Sequence, residues 1–298
     1  NTDHKLGFPY IVGQTAPIVN SGIVDNRGIE FQLGWDGRIG QHFRYWIRPN
    51  FTFARNKVKF CNEISYIDNN GRDCPWRYQT GKRLDENFCY IFDHFVADQD
   101  EADRLNAMNG GSGFAIWGPV QPGDVVYKDM NGDGVVNTFD KVAIGYTLVP
   151  EINYGFGASL KWKGIDVSVF FSGVGHVTRI IQGQNLFGAS STILRMGQIF
   201  EHVAKNRWTL DNQNPNAPYP RLSLNKVDNN QQLSTYWQRD MSFLRLKDAE
   251  IGYTLPESMT KKWGLSKIRF YIQGKNLVTF SDFKLWDPEV NANYGNVY

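Results

Sequence analysis

The stretch NYGFGASLKWKGIDVSVFFS, residues 153–172, decides the fold. Apolar residues alternate with small or polar ones before Lys163-Gly164, and the alternation returns after it, with Phe170 as the exception. A period of two on both sides of a tight turn predicts two adjacent antiparallel strands. Strands of this length, with one apolar face and one face rich in Gly, Ser and Lys, are typical of a membrane barrel wall.

The same pattern begins again at Ile29 and returns through residues 43–53. Asp36-Gly37 is a hairpin signal and is the predicted turn between these two strands. Trp46 and Pro49 interrupt the alternation, and a proline is unfavourable in a paired central strand. We therefore predict a second wall hairpin that has charged residues on its inward face.

A third hairpin is predicted over residues 243–273, where Pro256 ends the first strand. At roughly 35 residues for each strand with its loop, the chain holds about eight strands, fewer than a large transporter barrel needs. Long connections separate the hairpins, and we expect most of 61–150 to form loops on the outer side of the membrane. Within the connections we predict a short strand at 87–92, a surface helix at 98–108 and helical spacing at 192–204.

Composition narrows the classes of function. The net charge is +2 and the pI near 8.3, so nucleic acid is not an expected partner. No apolar run approaches the roughly 18 residues of a spanning helix. The three cysteines, Cys61, Cys74 and Cys89, argue against a zinc site and leave one disulfide open. No nucleophile motif, phosphate loop or zinc-protease motif is present, so we expect no enzyme activity.

An acidic loop precedes the central hairpin and follows a calcium-loop pattern. Its candidate ligands, with Val135 acting through its carbonyl, are Asp129, Asn131, Asp133, Val135, Asn137 and Asp140. Oxygen ligands at alternate positions wrap a hard cation, and Gly134 permits the sharp turn. Asp140, in place of Glu, weakens the closing ligand, and an Asx-rich turn that satisfies its own backbone stays an alternative. Calcium is the only candidate cofactor.

Substrate-binding residues are not assigned by the sequence. The residues predicted to face inward are Arg44, Arg48, Arg269 and Gln273, as contacts for cargo or as a hydrated lining. Four loop tryptophans are able either to stack on sugar faces or to pack the loops together. These are Trp76, Trp117, Trp208 and Trp237.

Several collinear motifs together carry a family resemblance. They are Gly123-Asp124 with the acidic loop, Tyr154-Gly155-Phe156, Lys163-Gly164-Ile165-Asp166, Asn206-Arg207-Trp208-Thr209, Asn216-Ala217-Pro218-Tyr219-Pro220-Arg221, Phe243-Leu244-Arg245-Leu246-Lys247 and Gly274-Lys275-Asn276-Leu277. In this order the motifs resemble SusC/RagA-type TonB-linked outer-membrane proteins. The match covers nearly the whole chain and is weaker at 61–77 and 94–120.

The resemblance implies an all-β fold: the C-terminal portion of a transmembrane antiparallel barrel of 22 strands with long extracellular loops. Residues 1–298 are then part of one outer-membrane domain, and the plug domain and the final strand lie outside this chain. The implied function is import of oligosaccharides or peptides across the bacterial outer membrane. The implied partners are a SusD-like surface lipoprotein, TonB acting through the missing N-terminal part, and outer-membrane lipid.

Two other classes of protein remain as alternatives. The first is a soluble, secreted β-rich carbohydrate-binding module with a calcium loop, and the second is a secreted β-hydrolase. Burial of the apolar strand faces against one another in a closed sandwich would favour these alternatives over a membrane wall.

Overall fold

A computed structural model describes residues 2–5, 18–187 and 199–289. Its main feature is an eight-stranded antiparallel sheet, the wall sheet, built from three hairpins and their neighbours. Its strands are β1 Thr2–Lys5, β2 Ile18–Gln32, β3 Trp35–Ile39, β4 Phe43–Phe60, β9 Ile152–Trp162, β10 Ile165–Gly175, β13 Phe243–Thr254 and β14 Arg269–Phe280. The order across the sheet is β1-β2-β4-β9-β10-β13-β14, and β3 also pairs with β4. The predicted strand number and the three hairpin regions are thus confirmed.

The remaining elements lie in the long connections. The short strands are β5 Phe88–Cys89, β6 Phe92–Phe95, β7 Val125–Tyr127, β8 Val142–Ala143, β11 Thr178–Ile180 and β12 Gln238–Asp240. The helices are α1 Gln99–Gly111, α2 Gln184–Phe187, α3 Glu201–Asn206 and α4 Glu257–Thr260. The 3₁₀ turns are Pro75–Arg77, Thr138–Asp140, Asn229–Gln231 and Lys261–Trp263. The helix predicted at 98–108 is present as α1, and the single strand predicted at 87–92 is two short strands, β5 and β6. Of the helix predicted at 192–204, residues 192–198 lie outside the described residues, and α3 begins at Glu201.

The central hairpin forms as the sequence predicts. Trp162 pairs with Ile165 across the Lys163-Gly164 turn. Both turn residues have positive φ, +45° and +91°, which a type I′ turn requires and which matches the twist of the flanking strands. Gly164 is also needed for space, because a Cβ there would lie 2.7 Å from the carbonyl oxygen of Thr254.

The first hairpin differs from the prediction at its turn. Asp36-Gly37 lies inside β3, paired with Trp46 and Tyr45, and the chain turns at residues 40–42 instead. Gly37 makes room for the Tyr45 ring, since a Cβ at this position would lie 2.3 Å from the ring. The glycine therefore serves a cross-strand packing contact rather than a turn.

Pro49 fits into β4 because of a break in the neighbouring strand. The carbonyl of Pro49 accepts a hydrogen bond from Leu33, which lies in the two-residue gap between β2 and β3. In an antiparallel strand the N–H and C=O of one residue point to the same side. The missing proline N–H thus falls where the ladder is already interrupted.

Register places the apolar residues of all three hairpins on one face of the wall sheet. One row across the sheet is Phe43, Trp162, Ile165, Tyr253 and Phe270. This apolar face is open: 77% of Ile272 and 70% of Ile29 is exposed. No described element covers it, so the sheet is one wall and not half of a closed sandwich.

The long connections fold into a separate body at one end of the wall sheet. We call this body, formed by the described parts of 61–151, 176–242 and 281–289, the loop module. Tyr90, Val125 and Tyr127 lie in one buried cluster of this module, and Leu186, Trp237 and Met241 lie in a second. The loops predicted for this region are therefore ordered around apolar cores of their own.

Candidate functional site: the polar face and its junction with the loop module

The polar face of the wall sheet carries the side chains that the sequence predicted to point inward. Arg44 pairs with Lys161, Lys161 pairs with Asp166, and Glu250 pairs with Gln273 across neighbouring strands. Arg44 and Lys161 line an open cavity of about 500 Å³ together with Trp46, Ser168 and Arg269. The four predicted inward residues lie on this one face, as their alternation with the apolar residues requires.

Arg269 is held in place by two carboxylates. It donates from Nε to Asp166 over 3.1 Å and from Nη2 to both Asp166 and Glu250. Its guanidinium crosses Gly252, where a Cβ would lie 2.4 Å from Nη2. Arg44, by contrast, has no ion-pair partner among the described residues. Arg44 therefore carries charge that is available to a ligand, and Arg269 is a structural bridge between three strands.

The loop tryptophans divide into buried and half-buried residues. Trp208 and Trp237 are buried, and Trp237 donates from its indole nitrogen to the carbonyl of Asn230 over 2.8 Å. Trp117 packs edge-on against Tyr90 at 4.8 Å, and Trp76 donates to the carbonyl of Phe139 over 2.7 Å. Sugar stacking is excluded for Trp208 and Trp237 because no face is free, and the alternative, that they pack the loops, is confirmed.

A buried carboxylate joins the wall sheet to the loop module. Glu151, only 4% exposed, accepts two hydrogen bonds from Arg55 of β4, at 2.8 and 2.7 Å. It also accepts one from Arg83 at 2.6 Å, and the Nδ1 atom of His176 lies 3.1 Å away. His176 stacks on Tyr146 with the ring centroids 4.2 Å apart. Four chain segments thus meet at one acidic side chain.

The electrostatics of this junction favour the ionised carboxylate. Burial opposes ionisation of Glu151, but the hydrogen bonds from Arg55 and Arg83 outweigh it and hold its pKa below the usual value. Glu151 precedes β9 and lies outside the membrane-spanning strands that we infer below. Sequence reasoning missed this cluster, because Arg55 and Glu151 are 96 positions apart and no local pattern connects them.

A second buried carboxylate fastens distant parts of the loop module to each other. Asp124 is fully buried, and Arg221 contacts it from Nε at 2.7 Å and from Nη2 at 3.0 Å. Asn230 donates to the same carboxylate over 2.7 Å. Both Asp124 and Arg221 lie in motifs that carry the family resemblance, so their pairing gives those motifs a structural role.

The acidic loop is closed by hydrogen bonds from its own backbone. Asp129 accepts from the backbone N–H groups of Gly132 and Gly134, both over 2.7 Å. Asp133 accepts from Val135 over 2.9 Å, and Asn137 donates from its side chain to the carbonyl of Val135 over 3.1 Å. These are the contacts of an Asx-rich turn.

The other end of the same loop is equally ordered. Asp140 is fully buried and accepts from the backbone N–H groups of Met130 and Asn137, at 2.8 and 2.7 Å. Burial raises its pKa, while these hydrogen bonds act against the rise. Asn131 donates to Asp68 over 3.1 Å and to Asp133 over 3.0 Å, so the loop is also tied to the turn at residues 68–72.

Within the described ranges, no group of three or more His, Cys, Asp or Glu side chains is gathered as a metal site. The predicted ligand set includes amide and backbone oxygens as well as carboxylates. Each carboxylate oxygen retains a lone pair beyond the one engaged by the backbone. Calcium binding at this loop stays a prediction.

Cys61, Cys74 and Cys89 are all free thiols in the structure, so the disulfide left open by the sequence does not form. Burial raises the pKa of the Cys89 thiol to about 11, which keeps it protonated and unreactive at neutral pH. No helix in the described part of the chain has the length and apolarity that crossing a membrane requires.

Known proteins resemble this chain over nearly its whole length. TonB-dependent receptor P3 of Formosa agariphila is 27% identical over 97% of this chain and 27% of its own length. TonB-dependent receptor P26 of the same organism is 26% identical over 97% of this chain and 28% of its own. No protein-family model matches the chain.

Solved structures share the fold. The RagAB peptide importer in its open-open state superposes with a TM-score of 0.67 at 19% identity, covering 98% of this chain and 29% of that one. The closed-closed state gives a TM-score of 0.63 at 20% identity. Over the matched part, the described residues therefore share the antiparallel β fold of these solved structures.

The resemblance to SusC/RagA-type TonB-dependent transporters is therefore confirmed over nearly the whole chain. This chain spans just over a quarter of the length of the curated receptors that it matches.

Proposed function

We propose that the chain is part of the barrel wall of a TonB-dependent importer in the bacterial outer membrane. The observation that carries this proposal is the apolar face of the wall sheet, which runs across all three hairpins and is exposed. Exposing such a face to water costs a free energy of roughly 25 cal/mol for each Å² of apolar surface. In a bilayer the lipid chains cover it, and the paired strands satisfy the backbone.

The two ends of the wall sheet suggest its orientation. Strands β3–β4 and β9–β10 are joined by tight turns at one end, and the loop module occupies the other. Outer-membrane barrels have short turns on the periplasmic side and long loops outside. In this orientation the loop module faces the medium, and the polar face with Arg44 and Lys161 lines the aqueous lumen.

The cargo in this proposal is a large nutrient, an oligosaccharide or a peptide. The similarity to receptors named TonB-dependent and to the RagAB peptide importer supports energised import. A SusD-like surface lipoprotein would bind over the loop module, and TonB would act through parts of the protein beyond this chain. The positive charges of Arg44 and Lys161 in the lumen favour cargo that offers oxygen acceptors or negative charge.

Fractionation tests the membrane assignment. The complete protein should remain in outer-membrane pellets after carbonate and salt washes, and should require detergent for extraction. A SusD-like lipoprotein should copurify with it in mild detergent. Recovery of the native protein in aqueous buffer without detergent would contradict the proposal.

An uptake experiment tests the cargo. Cells that carry the complete protein should take up a labelled oligosaccharide or peptide pool only when the inner membrane is energised. The double variant Arg44→Gln, Lys161→Gln should lower this uptake, and Lys205→Gln, an exposed residue of α3, serves as the control. Equal uptake by energised and uncoupled cells would contradict TonB-dependent import.

The exposed apolar face argues against the two soluble alternatives, a secreted carbohydrate-binding module and a secreted hydrolase. A secreted carbohydrate-binding module or hydrolase needs its apolar strand faces buried, whereas here those faces are open. Two of the four tryptophans named for sugar stacking are also buried in the loop module. The relatives that match are named as receptors, and the structural neighbours as importers or transporters, rather than enzymes.

A further inference from the structure

The apolar face has two open grooves where the wall sheet ends at its tight turns. They flank Ile165, the first residue of β10, and have volumes of about 360 and 390 Å³. The first groove runs between β4, β9 and β10 and includes Phe43, Leu160 and Trp162. The second runs between β10, β13 and β14 and includes Ile251, Tyr253 and Phe270. Two apolar grooves that share Ile165 match a ligand that has two apolar chains.

Lys163 lies at the turn end of the first groove, on the edge between the apolar face and the polar cavity, which it also lines. The Nζ atom of Lys163 is 5.3 Å from the ring centroid of Trp162, which lines the first groove. Its turn partner Gly164 packs beside Tyr253 of the second groove. The positive φ of the turn fixes the backbone of Lys163 at this position. Lys163 is exposed and has no ion-pair partner among the described residues.

The connection between β13 and β14, residues 255–268, also exposes apolar side chains and lysines at this end of the wall sheet. The N–H of Thr254 donates to the carbonyl of Gly164 over 2.8 Å, so residues 255–268 begin directly beside the Lys163 turn. This connection exposes Met259, Trp263 and Leu265. Met259 and Trp263 are four positions apart and so lie on one side of a helical turn. Exposed apolar and indole side chains next to lysines are typical of a membrane–water interface.

The two ends of the wall sheet differ in how their charged side chains are paired. Glu257 is occupied by Lys261 at 3.1 Å, which leaves Lys262 exposed and, within the described residues, without an ion-pair partner. At the loop end, Asp25 lies 2.9 Å from Arg27 and 3.8 Å from Lys59, so these two cations share one carboxylate. The turn end thus combines two apolar grooves with two lysines that have no ion-pair partner among the residues described here.

We propose that this end of the apolar face binds an anionic phospholipid. Its two acyl chains lie in the grooves on either side of Ile165, and its phosphate lies at Lys163, with Lys262 supplying further positive charge. The inference rests on the proposed membrane location and adds to it a preference for the lipid headgroup. A zwitterionic lipid would fill the grooves equally well, but its cationic headgroup nitrogen offsets its phosphate, so it brings no net negative charge to the two lysines.

Native mass spectrometry of the complete protein in detergent tests the site, with phosphatidylglycerol as the probe. Phosphatidylglycerol should bind in preference to phosphatidylcholine. A lysine near an anionic surface contributes about fivefold in affinity. Lys163→Gln should therefore weaken phosphatidylglycerol binding about fivefold, and Lys163→Gln with Lys262→Gln by more. Phosphatidylcholine binding should not change in either variant.

The matched control is Lys59→Gln, an exposed lysine at the loop end of the same sheet, which should leave both lipids unaffected. Glycerol 3-phosphate, which has the headgroup charge but no acyl chains, should not compete. Equal binding of the two lipids, or competition by glycerol 3-phosphate, would overturn the site. A dimer that retains no phosphatidylglycerol would also overturn it, since a second copy would then cover the grooves.

Failure of this inference is separable from failure of the proposed function. A protein that stays in the membrane fraction and binds both lipids alike leaves the barrel assignment standing and removes only the headgroup site. A protein that stays in water without detergent and binds no lipid removes both.

Discussion

The wall sheet and the loop module use the same kinds of apolar residue in opposite ways. Ile272 of the wall sheet is 77% exposed, whereas Trp237 of the loop module is 1% exposed. The loop module therefore gains its stability from a core of its own, as a soluble domain does. Under the proposed function, lipid rather than water covers the apolar face of the wall sheet. One chain thus carries apolar residues that are buried in a core and apolar residues that are exposed on a sheet face, and the boundary between the two lies at the strand ends.

The largest effect is expected from a pair of tryptophan substitutions, one in each region. Trp237→Ala should lower the free energy of unfolding by about 4–5 kcal/mol, because it leaves a cavity in the core and frees the Asn230 carbonyl. Trp162→Ala, on the open face of the wall sheet, should change it by less than about 1 kcal/mol. Chemical denaturation in a bilayer measures both values, and equal losses would contradict the division into two regions.

The next effect concerns the junction between the regions. Glu151→Gln should lower the free energy of unfolding by about 3 kcal/mol, because it leaves Arg55 without a negative partner among the described residues and leaves Arg83 with Glu86 alone. We expect the loop module to become protease-sensitive while the wall sheet stays folded. Glu201→Gln is the control, since Glu201 forms an exposed pair with Lys205 and should matter by less than about 1 kcal/mol.

The same junction has a defined pH dependence. The folded-state pKa of Glu151 is depressed below its usual value of 4.5. Its contribution is therefore complete above about pH 4.5 and is lost as the pH falls through the lower folded-state value. Unfolding measured at decreasing pH should show this loss in the native protein and not in Glu151→Gln. A loss of the same size in both would assign the acid sensitivity to other groups.

The third effect compares the two faces of the wall sheet itself. Val169 pairs with Ala158 and Ala249 in the middle of the apolar face, and Ser168 points to the polar face. Val169→Arg should cost about 2–3 kcal/mol in a bilayer, because it places a charge among lipid chains. Ser168→Arg should cost less than about 1 kcal/mol, since water reaches its side chain. Urea unfolding from lipid vesicles distinguishes the two, and a reversed order would exchange the assigned faces.

The extent to which sequence predicts structure also differs between the two regions. In the wall sheet, the number of strands, the positions of the hairpins and the face that each side chain occupies follow from a period of two. A window of about ten residues in a strand is enough to show this period. The Lys163-Gly164 turn is predicted correctly for the same local reason. The local turn signal is wrong at Asp36-Gly37. Gly37 is required there because a larger residue would collide with the Tyr45 ring on the next strand.

In the loop module, little of the structure follows from local pattern. Single contacts between distant residues hold it together and join it to the wall sheet, such as Asp124 with Arg221 inside the module and Glu151 with Arg55 at the junction. Such pairs have no periodicity, and each partner alone resembles an ordinary surface charge. Trp208 and Trp237 illustrate the same difficulty, since composition marks them as aromatic but does not distinguish a core residue from a ligand platform.

The smallest expected effect concerns the acidic loop of the loop module, where calcium binding is predicted from spacing. Its carboxylates already accept backbone hydrogen bonds, so an ion would add to an ordered turn rather than create one. Calcium at ten times its dissociation constant would stabilise the protein by about 1.4 kcal/mol. The melting temperature should then fall on addition of EGTA, and calorimetric titration with calcium should release or absorb heat.

Asp129→Asn separates the ion from the turn, because an amide oxygen still accepts a hydrogen bond from Gly132 or Gly134 but carries no charge. The variant should lose the EGTA response and keep most of its stability in EGTA. Asp211→Asn, on an exposed loop position, is the control and should respond to EGTA as the native protein does. A native protein that gives no heat with calcium and no EGTA shift would leave an Asx-rich turn, and the loop module would then owe its order to apolar cores and buried ion pairs alone.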